Sequence, residues 1–93
     1  MHTLDPRIQS ELFAELMSAA KAVAAAFEPW KMNYSCYGNV APHIHWHLFP
    51  RSAADPDRLQ VPWHHAAHFG KYLTDQQTAL DVSKRIKAHL LRL

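Results

Sequence analysis

From His43 to His47 the chain alternates histidine with an apolar residue, His43-Ile44-His45-Trp46-His47, and continues as Leu48-Phe49-Pro50-Arg51. Successive side chains of a β-strand emerge on opposite faces, so period-two alternation predicts a half-buried strand, here from about His43 to Phe49. All three imidazoles then line one surface, while Ile44, Trp46 and Leu48 fill the other. Packing accounts for the apolar side alone. Histidine has an unperturbed pKa near neutrality and serves as nucleophile, acid, base or metal ligand, so the row also marks where chemistry is to be sought.

The elements around it follow from local signals. Asp5-Pro6 reads as an N-cap followed by proline at the first helical position. Ile8, Leu12, Leu16, Ala19, Val23 and Phe27 then recur at helical spacing. The helix should end at Glu28, because Pro29 disfavours a helical conformation in the residue before it. Lys31 to Cys36 alternates polar with aromatic or apolar residues and is predicted as a strand. Gly38-Asn39, within Tyr37 to Pro42, is the turn that joins it to the histidine strand. Farther on, Thr74-Asp75-Gln76-Gln77 matches a capping box, with Thr74 capping and Gln77 reaching back. A second helix to about Leu91 follows, with Leu80, Ile86 and Leu90 directed inward and Lys84, Arg85, Lys87, His89 and Arg92 suited to its C-terminal end.

Helix, antiparallel hairpin and helix make an α+β chain with too little sheet. Two strands are marginal in water, and three or more are normally required. Ninety-three residues supply one small domain at most, spanning residues 1–93. The missing strands are therefore expected from another chain, or the sequence is a fragment of a larger fold. No stretch approaches the roughly 20 apolar residues of a membrane span. A single cysteine, Cys36, excludes an intrachain disulfide framework and fits a reducing cytoplasm. A net charge of +2 is too mild for binding a nucleic-acid polymer.

Two chemistries suit the row. Neighbouring histidines on a strand lie about 6.5–7 Å apart, so two of them share a metal only with further ligands from elsewhere, such as His64, His65 or His68. The simpler reading of that later group is a solvated loop, and no cysteine or carboxylate stands at a recognisable ligand spacing. Phosphorus chemistry fits better. A neutral imidazole attacks an activated phosphorus to give a phosphoramidate, a neighbouring imidazolium protonates the leaving group, and water hydrolyses the intermediate. Backbone N–H groups near Gly38-Asn39 are placed to hold phosphate oxygens. Arg51 either steers an anion or simply ends the strand as a surface charge. Cys36, alternating with Met32 and Tyr34, reads as a packed small residue. Trp30 and Trp63 read as closing the core or a subunit contact.

Asn33 to Arg51 resembles the signature of the histidine triad (HIT) superfamily, His-φ-His-φ-His-φ-φ with φ apolar, which His43 to Phe49 matches at every position. It is most similar to small bacterial members with Gly-Asn-x-x-Pro-His before the triad and Phe-Pro-Arg after it. The preceding helix, the Pro62-Trp63 segment and the capped C-terminal helix stand in familiar order, so the resemblance covers nearly the whole chain.

The resemblance implies a HIT-like antiparallel sheet, incomplete in one chain, with one helix packed on it and a second helix at the C-terminus. It also implies a nucleotide hydrolase or transferase that cleaves a phosphoanhydride or phosphoramidate, such as a dinucleoside polyphosphate or nucleoside phosphoramidate, through a covalent nucleotidyl-histidine. His45 would be the nucleophile, His47 would assist the leaving group, and the backbone carbonyl of His43 would orient the His45 ring. Asn33, Gly38, Asn39 and Arg51 would contact the substrate. Asn33 lies one residue closer to the triad than in better-known branches, Asn39 stands where many members have glutamine, and Val40 where some have serine or threonine. No metal or other cofactor is expected. Members of this kind carry further strands before this helix, so the chain reads as N-terminally short. A homodimer or intertwined oligomer is the expected assembly, since an open strand edge invites pairing. The alternatives are a truncated, non-catalytic nucleotide-binding or dimerisation module, and a histidine-based metal-binding protein.

Overall fold

The computed structural model describes residues 1–37, 43–55, 57–64 and 74–90. Four elements follow in the order α1 (Pro6–Phe27), β1 (Lys31–Ser35), β2 (His47–Arg51) and α2 (Gln76–Leu90). Both strands pair antiparallel, and they form a two-stranded sheet among the described residues. The architecture is α+β with an incomplete sheet, as the sequence predicts. No described helix is long and apolar enough to cross a membrane.

The limits of α1 follow from its caps. Asp5 accepts a hydrogen bond from the Arg7 backbone N–H at 2.8 Å, and Pro6 occupies the first turn, where its missing N–H costs nothing. At the other end Glu28 takes up a left-handed conformation, φ 47°, and its N–H reaches the Ala24 carbonyl at 2.8 Å. Proline next in line makes that exit favourable, since the residue before it is disfavoured in the right-handed helix.

Burial along α1 centres on Leu16, Ala20 and Ala22, whereas Ile8 and Phe27, at the ends of the predicted stripe, are 40% and 37% exposed. The helix is contacted from two directions, by β2 and by α2, so the covered surface is wider than one stripe. Small alanines on it let the partner elements approach closely. Trp46, just before β2, lines a groove of about 420 Å³ together with Leu12, Phe13 and Leu16 of α1.

Helix α2 departs from expectation at its start. Asp75, rather than Thr74, caps it: the Asp75 carboxylate accepts from the Thr78 N–H at 2.6 Å, and its carbonyl accepts from Ala79. Gln77 turns forward to Asp81 at 3.0 Å instead of back toward Thr74. Of the side chains expected inward, Leu80 and Leu90 are 47% and 42% exposed. The partly covered positions are Val82, Ile86 and His89, a stripe at helical spacing. Arg85 adds a contact to α1, its guanidinium lying 4.9 Å from the Phe27 ring centre.

The sheet is also shorter and displaced relative to the predicted hairpin. Its ladder runs from Lys31 opposite Arg51 to Ser35 opposite His47. Of the three histidines only His47 is therefore in the strand, and His43 to Trp46 precede it. A strand is defined by its partner, and β1 ends at Ser35, so residues before His47 have no described segment to pair with. The expected turn at Gly38-Asn39 lies outside the described residues.

The register divides the sheet into two faces. Met32 and Tyr34 share one with Leu48 and Pro50; Lys31, Asn33 and Ser35 share the other with His47, Phe49 and Arg51. Residues 57–64 fold back along the second face. Arg58 lies 5.3 Å from the Trp30 ring centre, and the Gln60 carbonyl accepts from Arg51 at 2.7 Å.

Candidate active site

The imidazoles form a contiguous row although the ladder reaches only the last of them. Ring centres of His43 and His45 are 5.3 Å apart, and those of His45 and His47 are 5.2 Å apart. His43 is exposed, while His45 and His47 are half-buried. Each ring packs against the next, which fixes their order along the surface.

The central ring has a defined orientation. His45 Nδ1 lies 3.0 Å from the His43 backbone carbonyl. A carbonyl only accepts, so Nδ1 must carry the hydrogen, and in the neutral ring Nε2 keeps its lone pair. The His45 and His47 rings meet edge to face, with an interplanar angle of 79°.

Beyond His47 the face becomes aromatic. Trp63 stands perpendicular to both His47 and Phe49, at 4.8 and 5.3 Å between centres, and Phe49 stacks on His47 at 6.1 Å. The Trp63 indole N–H donates to Ser35 Oγ at 3.2 Å, tying the 61–64 segment to β1. A cavity of about 200 Å³ lies beside this group, with Asn33, Ser35, Tyr37, Phe49 and Trp63 in its lining. Trp63 reads from sequence as closing the core; nothing in the spacing signals its contact with a histidine 16 residues earlier.

Arg51, at the far end of the same face, is buried, with 6% exposure. Its Nε donates to Asp55 Oδ2 at 2.9 Å, and its Nη1 donates to Asn33 Oδ1 and to the Gln60 carbonyl, each at 2.7 Å. Asn33 pairs with Phe49, so it is a diagonal neighbour of His47 on the histidine face, at about 7–8 Å between backbones. The structure thus brings His43, His45, His47 and Asn33 to one surface, with Arg51 behind Asn33. Gly38 and Asn39 are outside the described residues, as are His65 and His68. His64 is exposed. Among the described residues no three His, Cys, Asp or Glu side chains converge as a metal site.

Comparison with curated proteins and with solved structures gives no match. A family model does match: the HIT domain, over residues 1–54. That stretch holds α1, both strands and every histidine of the row, and it is more than half of the 93 residues. The chain belongs to the HIT family.

Proposed function

We propose that the protein is a nucleotide hydrolase or transferase that cleaves a phosphoanhydride or phosphoramidate through a nucleotidyl-His45 intermediate. The observation that carries this reading is the His45 ring, held by the His43 carbonyl with Nε2 left as the nucleophilic atom beside His47. Nε2 attacks the phosphorus bound to the nucleoside, the new P–N bond forms, and the P–O or P–N bond to the leaving group breaks. His47, as imidazolium, gives its proton to the departing atom. Water then attacks the same phosphorus, its proton passing to His47, and the nucleotide leaves with His45 regenerated. Asn33 supplies a polar contact on the same face, and Gly38 and Asn39, outside the described residues, are the sequence's candidates for phosphate contact. Membership of the HIT family supports the substrate class.

The test is turnover of a nucleoside phosphoramidate and of a dinucleoside polyphosphate, with protein quenched in alkaline denaturant, where a P–N bond to histidine survives, weighed by mass spectrometry. Wild type should show a nucleotidyl adduct and product release, and His45→Ala should show neither. Equal turnover in His45→Ala would refute the mechanism.

A second reading is a nucleotide-binding module without chemistry. It is favoured by the size of the cavity beside Phe49 and Trp63, about 200 Å³, below the roughly 300 Å³ at which ligand pockets usually begin. AMP binding without turnover would establish it. A homodimer, pairing through α1 and the edge of β1 that has no partner strand among the described residues, would enlarge the site, and sedimentation velocity distinguishes dimer from monomer. The lone thiol of Cys36 accords with a cytoplasmic location.

A further inference from the structure

We propose that Arg51 is a positioning residue, which sets the Asn33 carboxamide so that its N–H2 group is the one presented to a nucleotide on the histidine face. The proposal rests on the reading of that face as a nucleotide site.

The orientation of an asparagine amide is ordinarily ambiguous, because oxygen and nitrogen are alike in shape. Here the neighbour decides. A guanidinium has donors only, so the Asn33 atom 2.7 Å from Arg51 Nη1 must be the carbonyl oxygen. Arg51 is itself immobilised, by Asp55 on Nε and by the Gln60 carbonyl on Nη1, and it is 6% exposed. With Oδ1 committed, Asn33 Nδ2 finds no acceptor among the described residues. It is not a buried orphan, since Trp46 Nε1 is the only buried side-chain nitrogen or oxygen without a partner among them. Nδ2 is therefore not sealed from solvent, and Asn33 shares the face of His47 and lines the cavity with Ser35, Phe49 and Trp63.

Asparagine is disfavoured in the middle of a strand; here its Oδ1 takes one Nη1 hydrogen of the buried guanidinium, which Asp55 and the Gln60 carbonyl also hold. What Asn33 adds is a donor of fixed direction. A donor suits the phosphate or ribose oxygens of a nucleotide, whereas a flipped amide would present a carbonyl to them. Arg51 acts through Asn33, because its own charge is spent on Asp55 below the surface.

The experiment is a double-mutant cycle on AMP affinity, measured by calorimetry, using Arg51→Met and Asn33→Ala alone and together. Circular dichroism confirms folding at the assay temperature. Each single variant should weaken AMP about five- to tenfold, the value of one well-placed hydrogen bond. In the Asn33→Ala background Arg51→Met should change affinity less than twofold, and Arg51→Lys, which keeps a donor for Oδ1, should recover part of the loss. Should Arg51→Met not fold, Asp55→Asn, which frees the guanidinium without removing it, enters the same cycle. Losses that multiply in the double variant overturn the proposal, as does wild-type affinity in both singles or no AMP binding at all. AMP binding without His45-dependent turnover removes the catalytic mechanism and leaves the cycle readable; multiplied losses with turnover intact remove only the positioning role.

Discussion

Replacing Trp63 tests whether the 61–64 segment helps to build the histidine face or merely passes over it. Among the described residues Trp63 makes two edge-to-face contacts, with His47 at 4.8 Å and Phe49 at 5.3 Å, and one hydrogen bond to Ser35 Oγ at 3.2 Å. Aromatic pairs are worth about 0.5–1.5 kcal/mol each beyond their area, and a neutral hydrogen bond about the same. Trp63→Ala should therefore cost about 1.5–4.5 kcal/mol. A chain of 93 residues has about 5–14 kcal/mol in all, so the loss is a large fraction of the total. Since about 1 kcal/mol moves the melting temperature of a domain this size by roughly 4–8 °C, the shift exceeds measurement error several-fold. Trp63→Phe keeps a ring in place and loses the indole N–H, so it should recover all but about 1 kcal/mol. Urea unfolding followed by far-UV circular dichroism gives both numbers at constant slope. In the turnover assay Trp63→Ala should lower kcat more than it raises KM, because the ring it abandons is that of His47, the proposed proton donor. A Trp63→Ala variant within about 0.5 kcal/mol of wild type, the range of ordinary surface changes, would show that the contacts hold nothing together.

Two further expectations follow from single contacts. The Thr78 backbone N–H and side chain both donate to the Asp75 carboxylate and hold it below its ordinary pKa of 3.8. A depressed carboxyl stabilises the fold above its unfolded pKa and loses that contribution as pH falls through the folded one. The helical signal of α2 should thus weaken below about pH 4 in wild type, while Asp75→Asn shows no Asp75-linked step in that window; identical acid titrations in the two proteins would contradict the cap. For His45, the bond to the His43 carbonyl, about 0.5–1.5 kcal/mol, shifts the tautomer ratio roughly 2- to 13-fold toward hydrogen on Nδ1. Long-range 15N–1H spectra of the neutral ring read this directly, and a proton found mainly on Nε2 would remove the proposed nucleophile.

Where a signal is local, the chain declares it. Asp5-Pro6 and Glu28-Pro29 delimit α1 because capping and proline sterics act within a residue or two, and the helix runs from Pro6 to Phe27. The start of α2 shows the limit of this. Thr74 and Asp75 are both competent caps, and the choice of Asp75 depends on which side chain meets the Thr78 N–H. The histidine row was legible as a surface and less so as a strand. Alternation tells which side chains share a face, whereas the extent of the ladder depends on β1, which ends opposite His47.

By itself, then, the sequence determined the family, through the spacing of His43, His45 and His47, and it determined that these imidazoles share one side of the chain. Both are consequences of order along the backbone. Only the tertiary structure decided what stands around them: Trp63 against His47, the Ser35 hydroxyl under the indole, and Arg51 turned inward to Asn33, Asp55 and Gln60. Asn33 and Arg51 are 18 residues apart, and no periodicity links them. The direction of a guanidinium is set by whichever acceptors the folded chain brings within about 3 Å, and that is a property of packing.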